Sequence, residues 1–146
     1  TDIMVGFPGE SDAEFAESLR FVREIGFSRL HVFRYSLRPG TPAARFPDHT
    51  PAPVSAARSD AMLAVGQESS RHFRRGLLGQ ALPVLWETRR RADGWWEGLT
   101  DAYVRVCAPS EEDLHNQIRP ALLLALDDEG VVGRLENDLT APCRRL

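Results

Sequence analysis

Lysine is absent from this chain: all 18 basic residues are arginine. The bias reads mostly as one of coding, although arginine is also the better partner for phosphates and stacked bases. Cysteine is nearly absent too. Cys107 and Cys143 stand alone and far apart, which excludes a disulfide framework or a cysteine metal pair and makes the cytoplasm the default compartment. No apolar run approaches the roughly 18 residues of a membrane span, so no membrane is expected as a partner. No basic segment followed by an apolar one marks a signal peptide. Positive charge is not in excess. The net charge is −3, so nucleic-acid binding would need a local patch. The four histidines, His31, His49, His72 and His115, show no ligand spacing and are read as structural or surface residues. What remains, 42% hydrophobic and 27% charged over 146 residues, is the composition of a globular protein with room for one ordinary domain or two small ones.

The pattern changes near Gly76, and the expected division is residues 1–76, 77–137 and a tail at 138–146. In the first part, DIMVGF at 2–7 reads as a short buried strand. Pro8, Gly9 and Glu10 turn the chain, and SDAE at 11–14 reads as a capping box. A helix is predicted over 12–25, with Phe15, Leu19, Val22 and Ile25 on one stripe and Gly26 as its C-terminal cap. RLHVFRY at 29–35 reads as a second strand. Strand, helix and strand with short links make a βαβ unit, with parallel strands and a right-handed crossover. The stretch 36–53 holds five prolines and is predicted to be irregular. Residues 54–75 read as a long helix with Ala61, Met62, Val65 and Phe73 near one face. Two strands leave a parallel sheet open. This half, which also begins inside a βα unit on Thr1, is therefore expected to be the last slice of something longer.

After Gly76 come ALPVLWE, WWEGLT, AYVRVCA, IRPALLLAL and VVGRLE, five short runs separated by turn or charged segments. RRRADG looks like a hairpin turn with Gly94 left-handed, SEEDLHNQ a polar loop, and DDEG at 127–130 a second tight turn. Five short strands in about 60 residues suggest a small closed barrel of the OB kind. The fold class expected is thus α/β followed by all-β. No internal repeat or low-complexity tract is present.

GFPGES is neither a P-loop, lacking the GK[ST] ending, nor a GxGxxG fingerprint, and Ser11 is not in a GxSxG elbow. It is a glycine-bracketed turn at the C-terminal end of a parallel strand, where ligands sit in α/β folds. Gly6 and Gly9 would let backbone approach a ligand, and Glu10 could accept hydrogen bonds from a ribose or an amine. The plain alternative is a tight turn serving only the helix start. Tyr35 and Ser36 end the second strand on the same rim, and Arg38 and Thr41 follow in the proline-stiffened loop, which is either the mouth of a barrel or a connector. The acids of residues 10–17 suit a helix N-terminus without catalysis, and Cys107 reads as a buried thiol. In the second half, Arg89, Arg90 and Arg91 stand beside Trp95 and Trp96, with Thr100, Tyr103 and Arg105 following. Arginines interleaved with aromatics suit single-stranded RNA; core tryptophans beside a solvated turn are the alternative. Alternation buries at most one of Trp95 and Trp96.

TDIMVGFPGES with EFAESLRFVREIGFSRLHVFRYSLRPGTPAARFPD is similar to the end of the radical S-adenosylmethionine domain of tRNA methylthiotransferases. The wording GFSRLHVF and YSxRPGTPAA is closest to the MtaB type, which acts on N6-threonylcarbamoyladenosine 37 of tRNA. EGLTDAYVRV is similar to the TRAM domain that ends those enzymes. The resemblance covers residues 1 to about 136 and is densest over the first 46. It implies the last βαβ portion of a TIM-like radical barrel followed by an OB-like TRAM barrel. It implies S-adenosylmethionine and two [4Fe-4S] clusters in the intact enzyme, whose deoxyadenosyl radical activates carbon 2 of the adenine for insertion of a methylthio group. It further implies partnership with the anticodon loop of tRNA and with a missing N-terminal part of the same enzyme. On this resemblance Gly6, Phe7, Pro8, Gly9, Glu10, Phe33, Tyr35 and Ser36 lie by the cofactor pocket. Arg38 and Thr41 face the substrate base, and Arg89, Arg90, Arg91, Trp95, Thr100, Tyr103 and Arg105 are candidates for RNA.

Departures from the family pattern are Arg34 and Leu37, where proline is common, and Ala102, where asparagine is usual. Iron–sulfur clusters need three or four cysteinates, so this chain alone is expected to hold neither cluster and to be catalytically inactive. The expectations that follow are a fragment of a tRNA methylthiotransferase, a free-standing RNA-binding module using only the barrel, or a remnant without function.

Overall fold

A computed structural model describes residues 1–90 and 94–136. The chain forms two compact units, Thr1–Phe73 and Arg74–Leu146. The expected tail at 138–146, Cys143 and the tip of the RRRADG turn lie outside the described residues.

In the first unit, β1 (Asp2–Val5) and β2 (His31–Arg34) pair in parallel, Ile3 opposite Val32 and Met4 opposite Phe33. α1 (Asp12–Ile25) connects them. Its start is the expected capping box: the Ser11 hydroxyl accepts from the Glu14 N–H while the Glu14 carboxylate accepts from the Ser11 N–H. Its end is Gly26, left-handed at φ 70°. Ile3, Val5 and Val32 turn one sheet face toward Phe15, Leu19 and Val22 of α1 and Met62 and Val65 of α2 (Ala52–Gly76), and together these form the core. Gly66 belongs to the same α2 face because a β-carbon there would lie 3.0 Å from the Leu30 side chain. The opposite sheet face carries Met4 and Phe33, more than half exposed.

Several boundaries differ from expectation. β1 stops at Val5 because Gly6 turns to φ 73°. β2 is also shorter than predicted, His31–Arg34. The stretch 36–53 is not wholly irregular: Pro42–Arg45 form a 3-10 turn, and α2 already begins at Ala52. Pro42 and Pro53 both stand in first turns, where a missing N–H costs nothing. The buried face of α2 includes Ser55 and Arg58, which apolar periodicity passed over.

The second unit is a closed barrel of β3 (Ala81–Arg89), β4 (Trp96–Thr100), β5 (Arg105–Ala108), β6 (Gln117–Leu126) and β7 (Val131–Leu135). Its order is β3-β4-β5-β7-β6, closed by the β3–β6 pair. All pairs are antiparallel except β5–β7. This is the Greek-key closure of an OB-type barrel. Val84, Trp86, Trp96, Val106, Ala121, Leu123 and Val131 point inward. The Trp86 Nε1–H donates to the Arg119 carbonyl at 3.2 Å. The run AYVRVCA is strand only from Arg105: residues 101–104 form a turn in which the Thr100 N–H donates to the Val104 carbonyl and Tyr103 is left-handed at φ 57°. The loop SEEDLHNQ is not polar throughout its contacts, because Leu114 is fully buried and plugs the core.

Candidate functional site

The corner GFPGE is closed on itself. The Gly6 N–H donates to Glu10 Oε2 at 2.7 Å, the Glu10 N–H to the Phe7 carbonyl, and the Gly9 N–H to the Asp48 carbonyl. The Thr50 hydroxyl also donates to the Phe7 carbonyl. The far end of the proline-rich loop thus lies over the strand ends. Arg58, its side chain 7% exposed, completes the corner: Nη1 donates to Glu10 Oε2 at 2.6 Å and to the Glu10 carbonyl at 2.9 Å, and Nη2 to Asp12 Oδ1 at 2.7 Å. Its guanidinium stacks near the Phe15 ring, at 5.4 Å. The Arg58 pKa is raised, first by the hydrogen bond to Asp12, against desolvation, and then by Glu10. Asp12 is almost fully exposed while Glu10 is nearly buried, so solvent screens the first pair and the second holds the corner. Glu10, predicted as a ligand acceptor, spends its carboxylate inside the protein. Packing by itself requires glycine at position 6: at φ 73°, a β-carbon would lie 2.7 Å from Ser55 Cβ. Pro8 is buried in the turn. Gly9, at φ 85° with open space where a β-carbon would stand, leaves its side of the turn accessible.

The aromatic residues of this rim gather. Phe7 meets Tyr35 edge-to-face at 5.3 Å and Phe46 at 6.0 Å, and Tyr35 lies 5.9 Å from the His49 ring. The Tyr35 hydroxyl is buried with no partner among the described residues. Ser36 and Phe33 are exposed. Arg38 and Thr41 form a tight turn, the Thr41 hydroxyl donating to the Arg38 carbonyl at 2.8 Å. For an adenosyl group, this rim therefore offers aromatic walls, the Ser36 hydroxyl and the unpartnered Tyr35 hydroxyl, and not the Glu10 carboxylate. For an iron–sulfur cluster the donor set does not fit, since Cys107 is the one cysteine among the described residues and is buried. Burial first, and then Asp127, push its thiol pKa up. No group of three or more His, Cys, Asp or Glu side chains among the described residues is placed to hold a metal ion. Among them, no helix is long and apolar enough to cross a membrane.

On the barrel, Trp96 is buried and Trp95 half-buried, as strand alternation requires. Arg90 lies 5.9 Å over the Trp95 ring and pairs with Glu97 at 3.7 Å; Arg105 reaches the other oxygen of Glu97 at 3.4 Å. Arg89 Nε donates to the Gly94 carbonyl at 2.8 Å, and its Nη2 stands 3.8 Å from Glu111. The structure brings Arg90 and Arg105 to Glu97, a residue that sequence reasoning passed over, with Trp95 against Arg90. It sets Thr100 apart: Thr100 is 4% exposed, and its hydroxyl accepts the Val104 N–H at 3.1 Å. Tyr103, 78% exposed, projects from the following turn. Arg91 lies outside the described residues.

No protein-family model matches the chain. It is similar to curated proteins over most of its length. It is 34% identical over 134 residues, 92% of the chain, to a tRNA-2-methylthio-N(6)-dimethylallyladenosine synthase of Novosphingobium aromaticivorans. It is 34% identical over 137 residues, 90% of the chain, to the threonylcarbamoyladenosine tRNA methylthiotransferase MtaB of Thermotoga maritima. It is 41% identical over 101 residues, 69% of the chain, to a tRNA-2-methylthio-N(6)-dimethylallyladenosine synthase of Cereibacter sphaeroides. The chain spans about 30% of the length of the first two and 23% of the third. Over the part of them that it covers, the chain is a homologue of the tRNA methylthiotransferases.

Proposed function

We propose that this chain is a segment of a tRNA methylthiotransferase that inserts a methylthio group at carbon 2 of N6-threonylcarbamoyladenosine 37, joining the last βαβ portion of a radical S-adenosylmethionine barrel to a TRAM-type barrel. The observation that carries the reading is similarity over nine-tenths of the chain to enzymes named for methylthiolation of tRNA adenosines. Relatives of both base specificities are equally identical, at 34%, so the choice of the threonylcarbamoyl base rests on the wording of the 26–44 stretch. A parallel sheet with one face packed by helices and the other left bare with Met4 and Phe33 is what a slice of a closed parallel barrel would present.

In this reading S-adenosylmethionine supplies the radical that activates the adenine, and its clusters are held elsewhere in the intact protein. The residues of this chain position and enclose. Phe7 and Phe33 give an apolar wall, and the Tyr35 and Ser36 hydroxyls offer polar contacts to the bound group. Arg58 fixes the corner through Glu10, and the turn at Arg38–Thr41 borders the base. Arg89, Arg90, Trp95, Tyr103 and Arg105 form the tRNA-facing side of the barrel, in the cytoplasm.

The test is a chimera in which this chain replaces its matching segment in the Thermotoga maritima relative. After cluster reconstitution, tRNA nucleosides are read by mass spectrometry. Methylthiolated threonylcarbamoyladenosine is the expected product. Methylthiolation of the dimethylallyl base alone would shift the specificity, and a folded, cluster-loaded chimera yielding neither product would sink the reading.

A further inference from the structure

We infer that Arg38 recognises the carboxylate of the threonylcarbamoyl group and so selects that base over the dimethylallyl one; the inference rests on the reading of this rim as bordering adenine 37. The two substituents differ in charge. The threonylcarbamoyl group ends in an amino-acid carboxylate, ionised at neutral pH, whereas the dimethylallyl group is hydrocarbon. Overall identity is 34% to relatives of each kind, so the selection has to lie in the chemistry of particular side chains. On the rim, the segment 25–47 holds four arginines and no aspartate or glutamate.

Of these, Arg38 is held for the task. Its carbonyl accepts the Thr41 N–H at 3.2 Å and the Thr41 hydroxyl at 2.8 Å. Pro39 fixes φ at the second position of this turn, and Gly40 takes φ 86° at the third, the pattern of a type II turn. The backbone under Arg38 is thus rigid, while its exposed guanidinium has no partner among the described residues. The loop that carries it leaves the end of β2 at Tyr35 and returns at Phe46, and both rings pack on Phe7. The other arginines are placed differently. Arg29 precedes β2, at the end of the strand away from the rim. Arg34 stands opposite buried Val5, so alternation sends it to the helix-covered side, while Phe33 and Tyr35 belong to the bare side. Arg45 ends the 3-10 turn beside Phe46. A single ligand carboxylate needs one free guanidinium, not a positive surface, because the planar fork meets both of its oxygens. Glu10 and Asp12 of the corner are engaged by Arg58 and leave Arg38 unclaimed.

The test compares two anticodon stem-loops. One carries threonylcarbamoyladenosine at position 37, and in the other the threonyl carboxylate is a carboxamide of the same shape. Binding of each to the cluster-loaded chimera is read by fluorescence anisotropy at about 150 mM salt. The parent chimera should bind the carboxylate form about tenfold tighter, the low end for a hydrogen bond to a charged group. Arg38→Gln should bind both forms alike. Arg38→Lys keeps the charge but not the fork and should retain about threefold. Arg34→Gln and Arg45→Gln should keep the full preference. Thermal melts and cluster content confirm that each variant is intact. A parent chimera that binds without the preference, or a preference that survives Arg38→Gln, overturns the inference and leaves the tRNA reading standing. So does an equal loss for both stem-loops in Arg38→Gln with the preference intact, the mark of a backbone phosphate contact. Failure of the folded, loaded parent chimera to bind either stem-loop removes the tRNA reading, and the inference with it.

Discussion

Arg58 joins two helix N-termini and a turn through one side chain: its guanidinium reaches the Glu10 carboxylate, the Glu10 carbonyl and Asp12. Removing one member of a buried pair leaves the other charge without compensation. Arg58→Met is therefore expected to lower the stability of the first unit by about 3 kcal/mol, the low end for a buried pair, because Glu10 keeps the Gly6 N–H and a little water. Asp12→Asn should change it by less than about 1 kcal/mol, since Asp12 is almost fully exposed; urea unfolding followed by circular dichroism checks both. Glu14 gives a pH test at the same corner. Its pKa is lowered, first by the Ser11 side chain and then by the Ser11 N–H. A lowered carboxylate pKa in the folded state means stability that is present above the unfolded value of about 4.3 and lost as pH falls through the folded one. The stability gap between the parent chain and Ser11→Ala should therefore be widest near neutral pH and narrow below about pH 4; a gap constant down to pH 2 would contradict the capping geometry. At this scale the sequence was half legible. The Ser11–Glu14 box announces itself by residue type and spacing. Arg58 does not, because a charge within a helix reads as solvent-facing. The signal was its place in the series Ser55, Arg58, Met62, Val65, three and four residues apart.

Among elements, α1 was readable from capping box to terminal glycine, and its stripe held at Phe15, Leu19 and Val22 but not at Ile25, which is 53% exposed. The start of β5 was not. Tyr103 and Val104 have strand composition, but Tyr103 adopts φ 57° and the Thr100 carbonyl takes its N–H, so turn hydrogen bonding overrides β-propensity. The prolines of the barrel show the reverse. Pro83 in β3 and Pro120 in β6 stand directly opposite one another, so both missing donors fall on a single pair and the strands survive. Barrel closure also depends on where side chains are missing. A β-carbon on Gly98 would strike the Leu85 carbonyl and lie 2.7 Å from Val84 Cγ1. Backbone cannot give way as a flexible side chain can. Gly98→Ala is expected to lower barrel stability by about 1–3 kcal/mol through overpacking, whereas Gly79→Ala, with open space but φ 82°, pays only backbone strain. A thermal melt showing Gly98→Ala unchanged would mean that β3 and β4 are not paired as described.

At the scale of the whole molecule, the two units meet water differently. The barrel has paired every strand on both sides. The first unit has a two-stranded parallel sheet, and among its described residues nothing covers Met4 and Phe33, which are 55% and 52% exposed. Parallel sheets are ordinarily covered on both faces, and the sequence alone pointed to this gap because two strands cannot close. The double variant Met4→Gln/Phe33→Gln turns the gap into a measurement. If the face is bare in the isolated chain, polar side chains there should leave its unfolding free energy within about 0.5 kcal/mol, as for ordinary surface positions, and raise the concentration at which it stays monomeric in sedimentation. A loss of more than about 2 kcal/mol would mean that the face is already covered in solution. In the chimera the same two substitutions fall, on the proposed reading, inside a closed barrel. There they should abolish methylthiolation while the isolated chain tolerates them, because burying two amides without partners costs far more than exposing them. Equal tolerance in both settings would show that this sheet never becomes part of a barrel wall.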